Sequence, residues 1–333
     1  MSQFRNLVFE GGGCKGIAYA GALAVLEERV ILPDIVRVGG TSAGAITACL
    51  LAVGASPRDI AEIVGGTDFR TFMDDSFGKI RDTRRLLEDY GWYRGDEFAA
   101  WIRRHIERFT GDPEITFAVL SATRTPTLYM VGTNLVSQEA EVYSAETTPD
   151  MPVWLAVRVS MSIPLFFAAV MNGDERVRVD GGVSWNYPLD LFDEVRYLSD
   201  PLNRLIATEV DYPTAWSVAH VYNKETLGLR VDTMDEIAAE KERRTLPAKI
   251  ENLVDYVKAL VGFMLETAND AHLHENDWHR SVFIDAKGVR ATDFGLSNEQ
   301  VAMLIQSGRD GAEGYLSWFD DGNPPPLNKV SST

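Results

Sequence analysis

Residues 6–16 read NLVFEGGGCKG: a short apolar run that breaks into three consecutive glycines and opens a helix of small residues, Ala18, Ala20, Gly21, Ala22 and Ala24. Some twenty residues later the pattern repeats. A second run, DIVRVGG from Asp34 to Gly40, meets a tight TSAG turn and a second Ala-rich helix from Ala45 to Val53. Two strand–loop–helix units in some fifty residues constrain the chain strongly, because a parallel strand pair needs a helical crossover. The expectation is an α/β fold, a three-layer α/β/α arrangement around a mostly parallel central sheet.

The rest of the chain extends that scheme. Residues 56–109 read as helices with loops, while ITFAVL, LYMVGTNL and EAEVYSA read as strands. VWLAVRVSMSIPLFF holds a helix that ends before Pro164, and RVRVDGG is a strand running into a glycine turn. LNRLIATEV and SVFIDA are further strand candidates, and a last helix is expected from Asn298 to Leu316. Ile250, Leu253, Val254, Val257, Leu260, Val261 and Met264 keep the spacing of a buried helical face over 249–265. No repeat or linker divides the chain, so one domain over 1–320 is expected, with a disordered tail at 321–333.

Composition removes several function classes. The formal net charge of −17 opposes a nucleic-acid partner, which needs clustered Lys and Arg. It equally opposes adsorption to an anionic membrane by overall charge. The N-terminus lacks a basic and apolar leader pattern, and no apolar run reaches membrane-spanning length. Cys14 and Cys49 form no CxxC pair, so no disulfide framework or metal site is read from them. A cytoplasmic protein is expected, with peripheral membrane contact as the variant of that reading.

Three motifs carry chemistry. The sharpest is Gly40-Thr41-Ser42-Ala43-Gly44, a G-x-S-x-G between a strand and a helix of small residues. That context holds a serine on a strained turn with a positive helix end behind it. A serine needs a base, and His105, His220, His272, His274 and His279 are the histidines available. None follows a strand end that would aim it. The competing base is Asp180, which ends an alternating run and precedes Gly181 and Gly182. A carboxylate of ordinary pKa is a weak base, so Asp180 requires a dry site. The third motif is the glycine cluster itself. Gly11, Gly13 and Gly16 satisfy G-x-G-x-x-G, but no acid stands at the end of the second strand to take a ribose, and no Ser or Thr follows Lys15 as a P-loop demands. A nucleotide loop and a loop presenting N–H groups to an oxyanion both remain open on spacing alone.

Taken together and in this order, these motifs resemble the patatin-like phospholipase family. Gly11-Gly12-Gly13-Cys14-Lys15-Gly16 is similar to its glycine-rich motif, Gly40 to Gly44 to its nucleophile elbow, and Asp180-Gly181-Gly182 to its D-G-G. VSMSIPLFF, NYPL and the C-terminal ATDFGLSNEQ segment add to a likeness over roughly residues 5–320. The resemblance implies a Ser42–Asp180 dyad without histidine, with N–H groups of Gly11, Gly12, Gly13 and Cys14 as oxyanion donors. It implies a serine acyl hydrolase of phospholipid or lysophospholipid esters, without metal or cofactor, acting on lipid at a membrane or micelle surface. An activating partner or effector is a variant the family allows. Lys15 is read as orienting the loop or attracting a lipid phosphate. The mixed apolar and basic segment Phe69–Trp92 is a candidate interfacial lid. A glycine-loop nucleotide-binding protein and a Ser-Asp-His esterase are the alternatives.

Overall fold

The computed structural model describes residues 2–73, 90–171, 173, 176–206, 220–233, 250, 259–260, 262–264 and 274–330. The glycine loop leaves strand β1 (Asn6–Phe9), which lies between β2 (Arg37–Thr41) and β10 (Thr226–Asp232), parallel to both. Strand β11 (Ser281–Asp285) continues the sheet beyond β10, and β4 (Thr127–Asn134) continues it beyond β2, again in parallel. Two antiparallel strands, β5 (Glu139–Ser144) and β7 (Arg178–Asp180), then pair with β4. The sheet order is β11–β10–β1–β2–β4–β5 with β7 also on β4, the mostly parallel α/β sheet expected.

Strand alternation sorts the core into two faces. Leu7 and Phe9 join the larger cluster, packed under helices α1 (Ala18–Glu28), α2 (Ala43–Ala52), α3 (Pro57–Gly65) and α7 (Asn298–Asp321). Val8 points the other way, to a smaller cluster with Tyr129, Tyr187 and Phe192. On that face the register row is Gly228–Val8–Gly39–Tyr129. A Cβ at Gly228 would stand 1.9 Å from the Tyr187 hydroxyl, and one at Gly39 would stand 2.6 Å from Leu191. The two glycines are thus the recesses into which the 187–197 segment packs. Among the described residues this face is covered by that segment, with 3-10 turns at Leu189–Phe192 and Val195–Tyr197, rather than by long helices.

Three local readings need correcting. ITFAVL is not a strand: Thr116 caps a short helix, α5 (Phe117–Thr123), by accepting the Val119 N–H, and Phe117 and Leu120 bury one side of it. Strand β10 was not foreseen. Residues 322–330 do not trail away as the expected tail: Gln3 donates to the Asn328 carbonyl at 2.7 Å and accepts the Val330 N–H, and Asn328 is fully buried. Segment 249–265 lies mostly outside the described residues, as do residues 74–89 of the candidate lid. Among the described residues, no helix is long and apolar enough to cross a membrane.

Helices α1 and α7 touch through backbone. A Cβ at Gly21 would stand 1.8 Å from the Ile305 carbonyl oxygen, and one at Gly308 would stand 1.9 Å from that of Ala18. Gly314, on the same helix, has nothing within 4 Å. The same Gly→Ala change should therefore act oppositely at the two sites. Gly314→Ala should stabilise by up to about 1 kcal/mol through helix propensity. Gly308→Ala should destabilise by about 1–3 kcal/mol through overpacking. Denaturant midpoints of both variants check this, and equal shifts would contradict the packing.

Candidate active site

One edge of β4 serves two partners. Its first half carries β2, ending at the pair Thr41–Val131; its last residues carry β7, running the opposite way from Arg178 opposite Asn134 to Asp180 opposite Gly132. The two strands therefore meet end to end along a single edge. Ser42 follows the last residue of one and Asp180 is the last residue of the other. The sheet itself brings these two sequence-distant residues together.

Ser42 sits at φ 53°, ψ −121°, a conformation few non-glycine residues tolerate, and α2 begins at once after it. The flanking glycines permit the turn. A Cβ at Gly40 would stand 2.5 Å from the Gly44 backbone, and one at Gly44 would stand 2.3 Å from the Phe9 carbonyl oxygen. The elbow thus rests against the end of β1. The positive end of the α2 dipole lies behind Ser42, where it favours negative charge.

Asp180 is 2% exposed. Its Oδ1 accepts the Gly182 N–H at 2.7 Å, while Oδ2 has no hydrogen bond of regular geometry among the described residues. The Ser42 hydroxyl nevertheless stands near enough to favour the ionised carboxylate. Burial pushes the Asp180 carboxyl up to about 7, with the Gly182 N–H and the Ser42 hydroxyl opposing the rise. That is the range suited to a base near neutral pH.

The glycine loop lies across the elbow. Its four expected donors divide into two kinds. The Gly11 N–H donates to the Asn186 carbonyl at 3.0 Å and the Cys14 N–H to the Ala291 carbonyl at 3.0 Å. Both are occupied in loop anchoring, which corrects their expected place among oxyanion donors. The N–H groups of Gly12 and Gly13 donate to no acceptor among the described residues. Gly13 has φ +53°, and a Cβ there would stand 2.1 Å from the Ala291 carbonyl oxygen.

Buried charges fix the loop from below. Lys15 pairs with Asp232 at 3.2 Å, and Arg230 pairs with Asp232 at 2.6 Å and with Glu10 at 3.3 Å. Burial alone would raise the Asp232 carboxyl, but Arg230 and Lys15 outweigh it and hold it below its usual range. Glu10 also accepts the Val231 N–H. Lys15 is thus turned toward β10. Asn186 donates to Glu10 and to the Gly11 carbonyl, leaving its Oδ1 buried without a partner among the described residues.

Two cavities meet here. The first, about 440 Å³ counted to its mouth, is lined by Gly11–Gly13, Ser42, Asp180, Asn186 and Pro164 among others. The second, about 580 Å³, is walled by Ile17, Ile46, Val64, Phe72, Met161 and Phe167. Gly13 and Ile163 line both. Phe69 and Met73, from the candidate lid, line the second cavity. Burial, with Asp293 adding to it, pushes the Cys14 thiol up to about 12, so this cavity-lining cysteine stays protonated.

None of the four described histidines lines either cavity. His105 packs on Trp101 and His279 on Trp278 and Trp318, while the His220 backbone forms an isolated β-bridge with Glu194 and the His274 backbone N–H donates to Asp277. His272 lies outside the described residues. No group of three or more potential metal ligands occurs among the described residues. Glu10, Asn186, Asp232 and the hydroxyl of Ser160, which accepts the Ser42 N–H at 2.9 Å, were not singled out from sequence. Glu10, Ser160 and Asn186 lie inside the quoted segments NLVFEGGGCKG, VSMSIPLFF and NYPL, whereas Asp232 left no trace there.

Known proteins match this chain in sequence and in fold. A family model described as patatin-like phospholipase matches residues 7–193, more than half the chain. An uncharacterised protein of Acanthamoeba polyphaga mimivirus, R571, is 35% identical over 58% of this chain, which spans 63% of that protein. An uncharacterised Bacillus subtilis protein, YqhO, is 28% identical over 93% of this chain and 97% of its own. An intracellular phospholipase A2 of Caenorhabditis elegans is 28% identical over 57% of this chain but only 17% of its own length. Among solved structures, VipD of Legionella pneumophila superposes with TM-score 0.55 at 18% identity, covering 95% of this chain and 67% of that one.

The Asp180 carboxyl has a consequence for stability. The folded group holds its proton more tightly than the unfolded one, whose pKa is 3.8 against about 7. The native state therefore binds extra proton between those values, and its stability falls as pH rises through that window. Above pH 7 the full cost persists. Asp180→Asn should thus be more stable than the parent at pH 8, by about 2–4 kcal/mol. The gap should close as pH falls toward 4. Paired denaturant titrations at the two pH values check the sign.

Proposed function

The chain belongs to the patatin-like phospholipase family, and from that premise we propose that it is a serine acyl hydrolase working through Ser42 and Asp180 on the carboxylic esters of phospholipids or lysophospholipids. The observation that carries the reading is the end-to-end meeting of β2 and β7. It puts a serine on a strained elbow beside a buried carboxylate whose Oδ2 has no hydrogen bond of regular geometry among the described residues and whose pKa burial raises to about 7.

In this mechanism Asp180 takes the Ser42 proton as Oγ attacks the ester carbonyl. The tetrahedral oxyanion forms beside the N–H groups of Gly12 and Gly13, with the α2 N-terminus adding positive potential. Asp180 returns the proton to the leaving alcohol, giving an acyl-Ser42 intermediate. Water, deprotonated by the same carboxylate, then releases the fatty acid. No histidine, metal or cofactor is required. The second cavity supports an acyl chain as the substrate's apolar part, because its wall is almost wholly hydrocarbon and it shares Gly13 and Ile163 with the cavity at Ser42. The overall charge of −17 favours zwitterionic or micellar lipid over a strongly anionic surface. An activating partner, and a cytoplasmic site of action, belong to the same reading.

Ser42→Ala and Asp180→Asn should each lower hydrolysis of a p-nitrophenyl ester by on the order of 10⁴-fold in folded protein, and Ser42→Ala should abolish labelling by an alkyl fluorophosphonate. Full activity of folded Ser42→Ala would remove the assignment, and loss on replacing His272 or His274 with Asp180 dispensable would favour a triad. The rate should rise with pH on a single limb centred near 7, as the Asp180 base ionises. If the second cavity seats the chain, Ile163→Trp should cut turnover of long-chain esters while sparing acetyl esters.

A further inference from the structure

We propose that Ser160 is a positioning residue: its hydroxyl, braced on β4, holds the backbone N–H of Ser42 and fixes the angle at which the elbow presents its side chain to Asp180. The inference rests on the Ser42–Asp180 reading and concerns a residue 118 positions from Ser42 in sequence.

The Ser42 N–H has no partner in its own element, because α2 begins at Ala43. Nor can bulk water satisfy it, since Ser42 is only 5% exposed. The Ser160 hydroxyl accepts it at 2.9 Å and passes its own proton to the Val131 carbonyl at 2.6 Å. Ser160 is fully buried, so its single proton is committed and the direction of both bonds is fixed. Val131 is the β4 residue opposite Thr41 and next to Gly132, which lies opposite Asp180. The bridge thus ties the elbow to the point of β4 where the two strands meet.

The same turn also holds the base. Two residues on, the Ser162 carbonyl accepts the Asp180 N–H at 2.9 Å. The turn is itself anchored at the end of helix α6 (Val153–Ser160), where Arg158 donates to the Ser162 hydroxyl and to the Arg94 and Ala168 carbonyls. Residues 160–162 therefore grip the backbone N–H of both Ser42 and Asp180. A change at either end alters their separation, and sub-ångström errors in such geometry are costly to rate.

A purely structural hydroxyl would affect only how much protein folds; a positioning one slows each folded molecule. Folded wild type, Ser160→Ala, Ser160→Cys, Ser160→Thr and Ser42→Ala are compared by fluorophosphonate labelling rate, by kcat and KM on a p-nitrophenyl ester, and by the pH midpoint. Ser160→Ala should label more slowly by on the order of 10²-fold, with KM and midpoint unchanged. Ser160→Thr, which keeps the hydroxyl, should recover most of that loss. Ser160→Cys fills the same space without a strong acceptor and carries the test if Ala lowers the folded yield. Labelling of folded Ser160→Ala or Ser160→Cys within about twofold of wild type overturns the proposal while leaving the dyad intact. Labelling of Ser42→Ala at the wild-type rate would instead sink the dyad reading itself.

Discussion

The edge of β4 is the constraint on which the site depends. A parallel neighbour, β2, occupies it up to Val131, and an antiparallel one, β7, takes over at Gly132. Two chain segments 138 positions apart in sequence, at Ser42 and Asp180, are thereby aligned by main-chain hydrogen bonds rather than by side-chain packing. Gly181 belongs to this arrangement, since a Cβ there would stand 2.3 Å from the Val131 carbonyl oxygen that Ser160 uses. The crevice also lies at the carboxyl ends of parallel strands, where such sheets commonly bind ligands.

Much of this was legible in the sequence, and the reason is local. Gly40, Gly44, Gly13 and Gly181 mark places where backbone approaches backbone, and glycine leaves that mark whatever the surrounding fold. The G-x-S-x-G, the D-G-G and the first two strand–helix units therefore stood out, and so did the absence of any well-aimed histidine. What escaped was set by distant contacts. Strand β10 is the exception, because TLGLRVD alternates strictly: Leu227, Leu229 and Val231 enter the larger cluster, while Gly228 admits Tyr187 and Arg230 and Asp232 face the buried charges. ITFAVL reads as apolar, but its capping threonine decides for helix. Which glycine-loop N–H groups are free depends on Asn186 and Ala291, far along the chain. The Ser160 bridge spans 118 positions and has no sequence period at all.

The loop's support is electrostatically costly. Four charged groups, Glu10, Lys15, Arg230 and Asp232, are all nearly buried. Desolvating such groups seldom adds net stability, yet removing one leaves its partners stranded. The arrangement is better understood as a geometric device: each charge has one low-energy place, and the backbone between Glu10 and Lys15 follows. Asp180 carries a related cost, since its dry setting penalises the ionised form at the expense of the fold. Rigidity beneath the glycines and tension at the carboxylate are thus set by separate groups.

Strand β1 is central only because β10 pairs with it, and β10, β11 and the Ala291 contact all lie beyond the residues 7–193 that the family model matches. As the chain leaves the ribosome, the strand that launches the glycine loop therefore waits with one edge bare until residue 226 has been made. Its exposed row of amides and carbonyls is a template for any passing strand during that interval. The last third of the protein acts, in this sense, as the closing staple of a sheet begun at its start.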